Sequence, residues 1–165
     1  MLYLLDANVL IRAHEDHYPL DRIPQFWVWL LEKGQQGTVR IPSEIVQGEL
    51  LVYEGPLKQW MGVAENRTKL THADATDPVR LNNVIDNGYA PDLTDDELEK
   101  IGRDPFLIAY ATANPAEITV VSREVSAPSK QRANRRVPDV CGVAGVRCIN
   151  DFQFLRELAF SIPTV

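Results

Sequence analysis

Cysteine is scarce in this chain: Cys141 and Cys148 are the only two among 165 residues, too few for a disulfide scaffold and without the paired spacing of a zinc site. They read as buried, reduced thiols. Long apolar runs are also missing. None approaches the roughly 20 residues that cross a bilayer, and Met1 leads straight into Leu-Tyr-Leu-Leu-Asp with neither a basic leader nor a small-residue cleavage site. The expectation is a soluble, cytoplasmic protein with no membrane partner. Histidine is limited to His14, His17 and His72, and no Ser-His-Asp or Cys-His arrangement can be assembled convincingly. His14 and His17 lie three apart, and without a third ligand they read as exposed helix polarity. No glycine-rich phosphate loop is present. Positive charge is in deficit too: 17 Lys and Arg face 23 Asp and Glu, a formal charge of −6 with a pI near 5.1. That argues against a protein that coats nucleic acid through bulk charge, but leaves nucleic acid open as a substrate.

What the chain does contain is unevenly distributed. Residues 1–121 hold ten basic and nineteen acidic side chains, net −9, whereas residues 122–165 hold seven and four, net +3. Arg123, Lys130, Arg132, Arg135 and Arg136 fall within fifteen residues beside Glu124 alone. One basic loop therefore sits on an acidic body. It reads either as a grip on a phosphate backbone or as a solvated surface loop.

Apolar runs at Leu2–Leu5, Val39–Ile41, Ile118–Val121 and Arg147–Ile149 read as strands buried in a parallel sheet. Between them, helical signals run over about 9–15, 24–34, 43–55, 57–66, 78–87, 94–102, 104–113 and 151–160. Pro24 suits a first helical position, Ser43 a cap, and Thr94 with Glu97 a capping box. Alternating strands and helices imply one three-layer α/β domain, residues 1–165, with a mainly parallel sheet. No repeat or low-complexity segment interrupts it. Trp27, Trp29 and Trp60 read as core or partner-facing residues.

In such a sheet the active site lies beyond the carboxyl ends of the strands. Four acids qualify by position: Asp6 ends the first strand, Glu49 lies in the helix after the second, Asp104 opens an apolar helix, and Glu124 follows Val-Val-Ser. Carboxylates meeting in one cleft repel each other unless a cation neutralises them, and Mg²⁺ or Mn²⁺ is the cation suited to oxygen ligands and phosphate substrates. Each acid also has a structural reading. Asp6 fits an Asx turn or helix cap, Asp104 before Pro105 fits an N-cap, and Glu44 and Glu49 fit solvent-facing helix positions.

The order and local wording of these acids resemble the PIN-domain (PilT N-terminus) family of nucleases. The matching segments are LYLLDANVLI, IPSEIVQGEL, GRDPFLIAYA and VVSREV, which together imply a PIN-like fold over nearly the whole chain. The resemblance implies a central parallel sheet of about five strands flanked by helices. It also implies a Mg²⁺- or Mn²⁺-dependent endoribonuclease, typically a VapC-like toxin held inactive by a cognate antitoxin. Carried over position by position, Asp6, Glu49 and Asp104 resemble the core metal ligands, with Glu44 as a rival to Glu49. Asn8 resembles the residue that orients Asp6. Glu124, two residues after Ser122, stands where the family usually has Asp, and completes the catalytic set. The reaction implied is in-line hydrolysis of an RNA phosphodiester, with Arg123, Lys130, Arg132, Arg135 and Arg136 gripping the backbone. A homodimer is a further possible assembly. The alternative is a catalytically weakened PIN-like module that binds RNA or a protein partner.

Overall fold

At the centre of the molecule runs β1 (Leu2–Leu5), whose Tyr3, Leu4 and Leu5 are buried as expected for a strand covered on both faces. The computed structural model describes residues 1–164. β1 pairs in parallel with β2 (Val39–Pro42) on one side and β4 (Ile118–Val121) on the other. β3 (Thr71–His72) and β5 (Arg147–Ile149) form the edges, giving the order β3-β2-β1-β4-β5. The chain thus moves outward one way from β1 and then the other way from β4. The β1–β4 boundary is the topological switch point, where parallel sheets open a crevice beyond their strand ends. Leu5 pairs with Val121, and Asp6 extends the ladder by donating its N–H to the Val121 carbonyl at 2.9 Å. Residues just past β1 and β4 are therefore neighbours.

Among the described residues ten helices flank the sheet: α1 (Ala7–Arg12), α2 (Pro24–Gln35), α3 (Ser43–Ile45), α4 (Pro56–Gly62), α5 (Ala64–Leu70), α6 (Pro78–Asn83), α7 (Asp95–Ile101), α8 (Asp104–Thr112), α9 (Val137–Ala144) and α10 (Asp151–Glu157). α1, α3 and α6 run on into wider π turns at Ala13–His17, Val46–Leu50 and Val84–Tyr89. α2, α4 and α5 pack together, with α2 and α5 against β2, while Trp29 of α2 meets Phe154 of α10 at 5.8 Å. α6, α8 and α9 form the other set, with α8 against β1 and β4 and α9 against β5. The result is a three-layer α/β fold with an all-parallel central sheet. No helix among the described residues is long and apolar enough to cross a membrane.

The sequence reading needs several corrections. α9 leaves no clear sequence signal, because its eight residues, VPDVCGVA, mix three β-branched valines and a glycine with no long apolar stripe; Gly145 at φ 71° ends it. β3 has only two residues, too short to leave a pattern. The region expected as a single helix over 57–66 is two, α4 and α5, and α10 stops at Glu157 rather than Phe160. Ser43 is the first residue of α3 and makes no capping bond. The Thr94–Glu97 capping box is present as expected. His14 and His17 are half-buried rather than exposed. His14 Nδ1 accepts the Leu20 N–H, and the His17 ring packs edge-on to Phe152. Of the thiols, Cys141 is buried but Cys148 only partly so, and both are free.

Candidate active site

Asp6 occupies the N-cap position of α1, yet its carboxylate caps nothing. The side chain turns instead toward the switch point, where Oδ2 accepts from Ser122 Oγ at 2.8 Å and from Asn8 Nδ2 at 2.8 Å. Asn8 is fixed in turn, since its Oδ1 accepts the Arg123 N–H at 3.0 Å. Ser122 Oγ also accepts the Glu124 N–H at 3.2 Å. A strand end, a helix start and the segment after β4 are thus tied into one polar knot. It holds the Asp6 carboxylate at a fixed angle, with Oδ2 engaged on the protein side. Asp6 is only 4% exposed.

Three other acids share that hollow. A cleft of about 460 Å³ is bordered by Asp6, Asn8, Glu49, Asp104 and Glu124. Glu49 reaches it from the π turn after α3, a local widening of the helix that recurs at functional sites. The neighbouring Gly48 lets the Arg103 side chain lie against it; a Cβ there would force that side chain to shift. Asp104 enters from the start of α8. It is the first helical residue, with Arg103 at the N-cap position, and it makes no capping bond, so the simple N-cap reading of Asp104 does not hold. Glu44, the rival second acid, is committed elsewhere. It accepts from Tyr110 Oη at 2.9 Å and from Thr76 Oγ1 at 2.7 Å and does not border the cleft. Neither glutamate simply faces solvent.

The electrostatics follow from crowding acids in a dry place. Burial pushes the Asp6 carboxyl up to about 7, the Ser122 hydrogen bond opposes this, and the charges of Glu49 and Glu124 add to the rise. Asp104 is held well above the usual carboxylate range, first by burial and then by Asp6, Glu124 and Glu49. Burial also raises Glu49, with the Arg103 charge pulling the other way. The causes that raise Asp6 and Asp104 are burial and the neighbouring acids, so the cluster stores repulsion that a bound cation would relieve. Among the described residues no three His, Cys, Asp or Glu side chains form a ready-made metal-holding group. The four carboxylates border one cleft. Their donor chemistry, oxygen alone and surplus negative charge, fits a hard divalent cation that keeps part of its water shell; Asp6, Glu49 and Asp104 are the residues that could hold it.

Glu124 has an additional task. Its Oε2 accepts the Val137 N–H at 2.7 Å, satisfying a free donor at the start of α9.

The chain belongs to the family described as domain of unknown function DUF4411. That family's model matches residues 3–162, from β1 past the end of α10, so all four acids lie within it. No curated protein and no solved structure matches the chain.

In this DUF4411 chain the basic loop is pinned rather than free along its whole length. Arg123 pairs with the buried Asp151 at 2.7 Å. Arg132 binds Asp92 at 2.7 Å and Glu97 at 3.0 Å, and Arg135 donates to the Gly88 carbonyl at 2.5 Å. Lys130 and Arg136 border a hollow that adjoins the acid cleft. Sequence reasoning missed Asp151, Arg103 and Tyr89. Asp151 looked like an ordinary helix-start acid, and nothing in the local pattern marks a tyrosine that a distant helix will bury beside the carboxylates.

Proposed function

We propose that this chain is a PIN-like endoribonuclease that hydrolyses RNA phosphodiesters with a bound Mg²⁺ or Mn²⁺, and that it is the toxin of a toxin–antitoxin pair. The observation that carries the reading is the meeting of Asp6, Glu49, Asp104 and Glu124 in one cleft at the switch point of a parallel sheet. The four segments that resemble the PIN family supply its RNA specificity. When bound, a divalent cation supplies Lewis-acid chemistry, activating water and neutralising charge on the phosphate. Asp6, oriented by Asn8 and Ser122, borders the cleft, and Glu49 and Asp104 reach it from two other elements. Ser122 is not a nucleophile in this scheme, because it is buried and does not border the cleft. No histidine borders the cleft, so hydrolysis without a covalent protein intermediate is the chemistry favoured. The toxin part of the reading calls for an inhibitory protein partner.

A second reading has one observation behind it. Glu124 is engaged in starting α9, which suits a module that binds RNA or protein without cutting. Incubating the purified chain with total RNA in Mn²⁺ or in chelator separates the two. Fragments formed only with Mn²⁺, and lost in Asp104→Asn, support the nuclease; RNA retention without fragments under every condition sinks it.

A further inference from the structure

Beside the carboxylate cleft lies a second hollow, of about 300 Å³, that shares two of its acids, Asp104 and Glu124. The far side is basic. Lys100, Lys130, Arg135 and Arg136 all border it. Two of these cations are committed within the fold, Lys100 to the Asn134 amide oxygen and Arg135 to the Gly88 carbonyl. Lys130 and Arg136 make no side-chain hydrogen bond or ion pair among the described residues, so their charge is available. Tyr89 lines the same hollow at 7% exposure, with a buried hydroxyl that has no partner. Leaving a buried hydroxyl unpaired costs about 1–3 kcal/mol, and most such groups find an acceptor. An anion oxygen drawn into the hollow is the acceptor that the fold does not provide.

The loop that presents the cations is held in place. Arg132 sits at φ 55°, a left-handed conformation uncommon for a side-chain-bearing residue, and its guanidinium is fixed by Asp92 and Glu97. A third hollow, bordered by Lys100, Lys130, Gln131 and the Arg132-paired Glu97, shares Lys100 and Lys130 with this one. A ligand occupying the first two hollows must place one anionic group among acids and another among cations. That pattern fits a polyanion whose first charge rests on a neutralised carboxylate site, and a nucleic-acid strand has that form.

We propose that the hollow between Tyr89, Lys130 and Arg136 is the subsite for the phosphate next to the one that is cut. The assignment rests on the hydrolase reading for which phosphate occupies the acid cleft. Binding is measured by fluorescence anisotropy with a labelled 2′-O-methyl RNA pentamer, in Mn²⁺, over a salt series. The double variant Lys130→Gln with Arg136→Gln is expected to weaken binding about tenfold and to flatten the log–log salt slope by roughly 0.7 per lost contact. Lys58→Gln, on α4, serves as the control and leaves both unchanged. Tyr89→Phe removes only the unpaired hydroxyl and is expected to weaken binding a few-fold without lowering the melting temperature, which a purely structural role would lower. Wild-type affinity and slope in the double variant overturn the subsite, as does failure of the wild type to bind the pentamer. If the wild type binds with the expected slope yet never cuts unmodified RNA, the hydrolase reading fails and the anion subsite stands. If it cuts RNA while the double variant binds normally, the subsite alone fails.

Discussion

Replacing Asp6 by Asn removes a group that the metal-free protein must bury either protonated or at a cost. The ordinary carboxyl value of 3.8 rises to about 7 in the fold. At about 1.4 kcal/mol per pH unit, that difference makes the ionised folded state worse by about 4 kcal/mol. The sign follows from linkage. Because the folded carboxyl holds its proton more tightly than the unfolded one, Asp6's contribution is complete below about pH 3.8. It falls as pH rises and is lost above about pH 7. Asn cannot ionise, keeps an oxygen to accept from Ser122 and Asn8, and gives up only part of those bonds, about 1–2 kcal/mol. In chelator at pH 8 the variant should therefore be more stable than wild type by about 2–3 kcal/mol. For a chain of this size that raises the melting temperature by roughly 4–12 °C, and near pH 4 the advantage should turn into a deficit of about 1–2 kcal/mol. Circular dichroism melts at both pH values measure it. A variant that melts at or below wild type at pH 8, or a gap that does not change with pH, refutes the claim that Asp6 is an uncompensated buried acid.

Adding Mn²⁺ should largely cancel that advantage. The wild type gains about 2.7 kcal/mol at a hundred times its dissociation constant, while Asp6→Asn with Asp104→Asn gains nothing, as differential scanning fluorimetry can record. Glu124→Ala should lower stability by about 1 kcal/mol in urea unfolding through loss of the Val137 bond, whereas Glu124→Gln, which keeps the acceptor, should stay near wild type. Trp27→Ala should cost about 3–5 kcal/mol or unfold the chain, since this 2%-exposed ring packs edge-on to Trp60 and Phe26 and donates to the Tyr18 carbonyl. Arg132→Ala should speed tryptic cleavage after Lys130, as the loop loses its anchors on Asp92 and Glu97.

Much of the fold was legible because buried strands advertise themselves. Leu2–Leu5, Ile118–Val121 and Arg147–Ile149 are short, apolar and bounded by polar breakers, and each is a strand with those limits. α9 and β3 were not legible, since their places are set by what packs on them. Val140 of α9 fills the space left by the missing side chain of Gly88, a contact between residues 52 positions apart. In the site, position along the strands was enough to nominate Asp6, Glu49, Asp104 and Glu124. It could not decide Glu44 against Glu49, which depends on where Tyr110 presents its hydroxyl. Nor could it separate the basic residues engaged in the fold from Lys130 and Arg136, because their partners Asp151, Asp92, Glu97 and Gly88 are distant in the chain.

The most direct test is a transcriptome-wide map of RNA ends after induction of the wild type and of Asp104→Asn, with the chemistry of each new end determined. Water-driven hydrolysis should give discrete new ends carrying linear phosphates in the wild type and none in the variant. Identical maps from the two proteins, or new ends carrying 2′,3′-cyclic phosphate, would contradict hydrolysis at the Asp6–Glu49–Asp104 cleft.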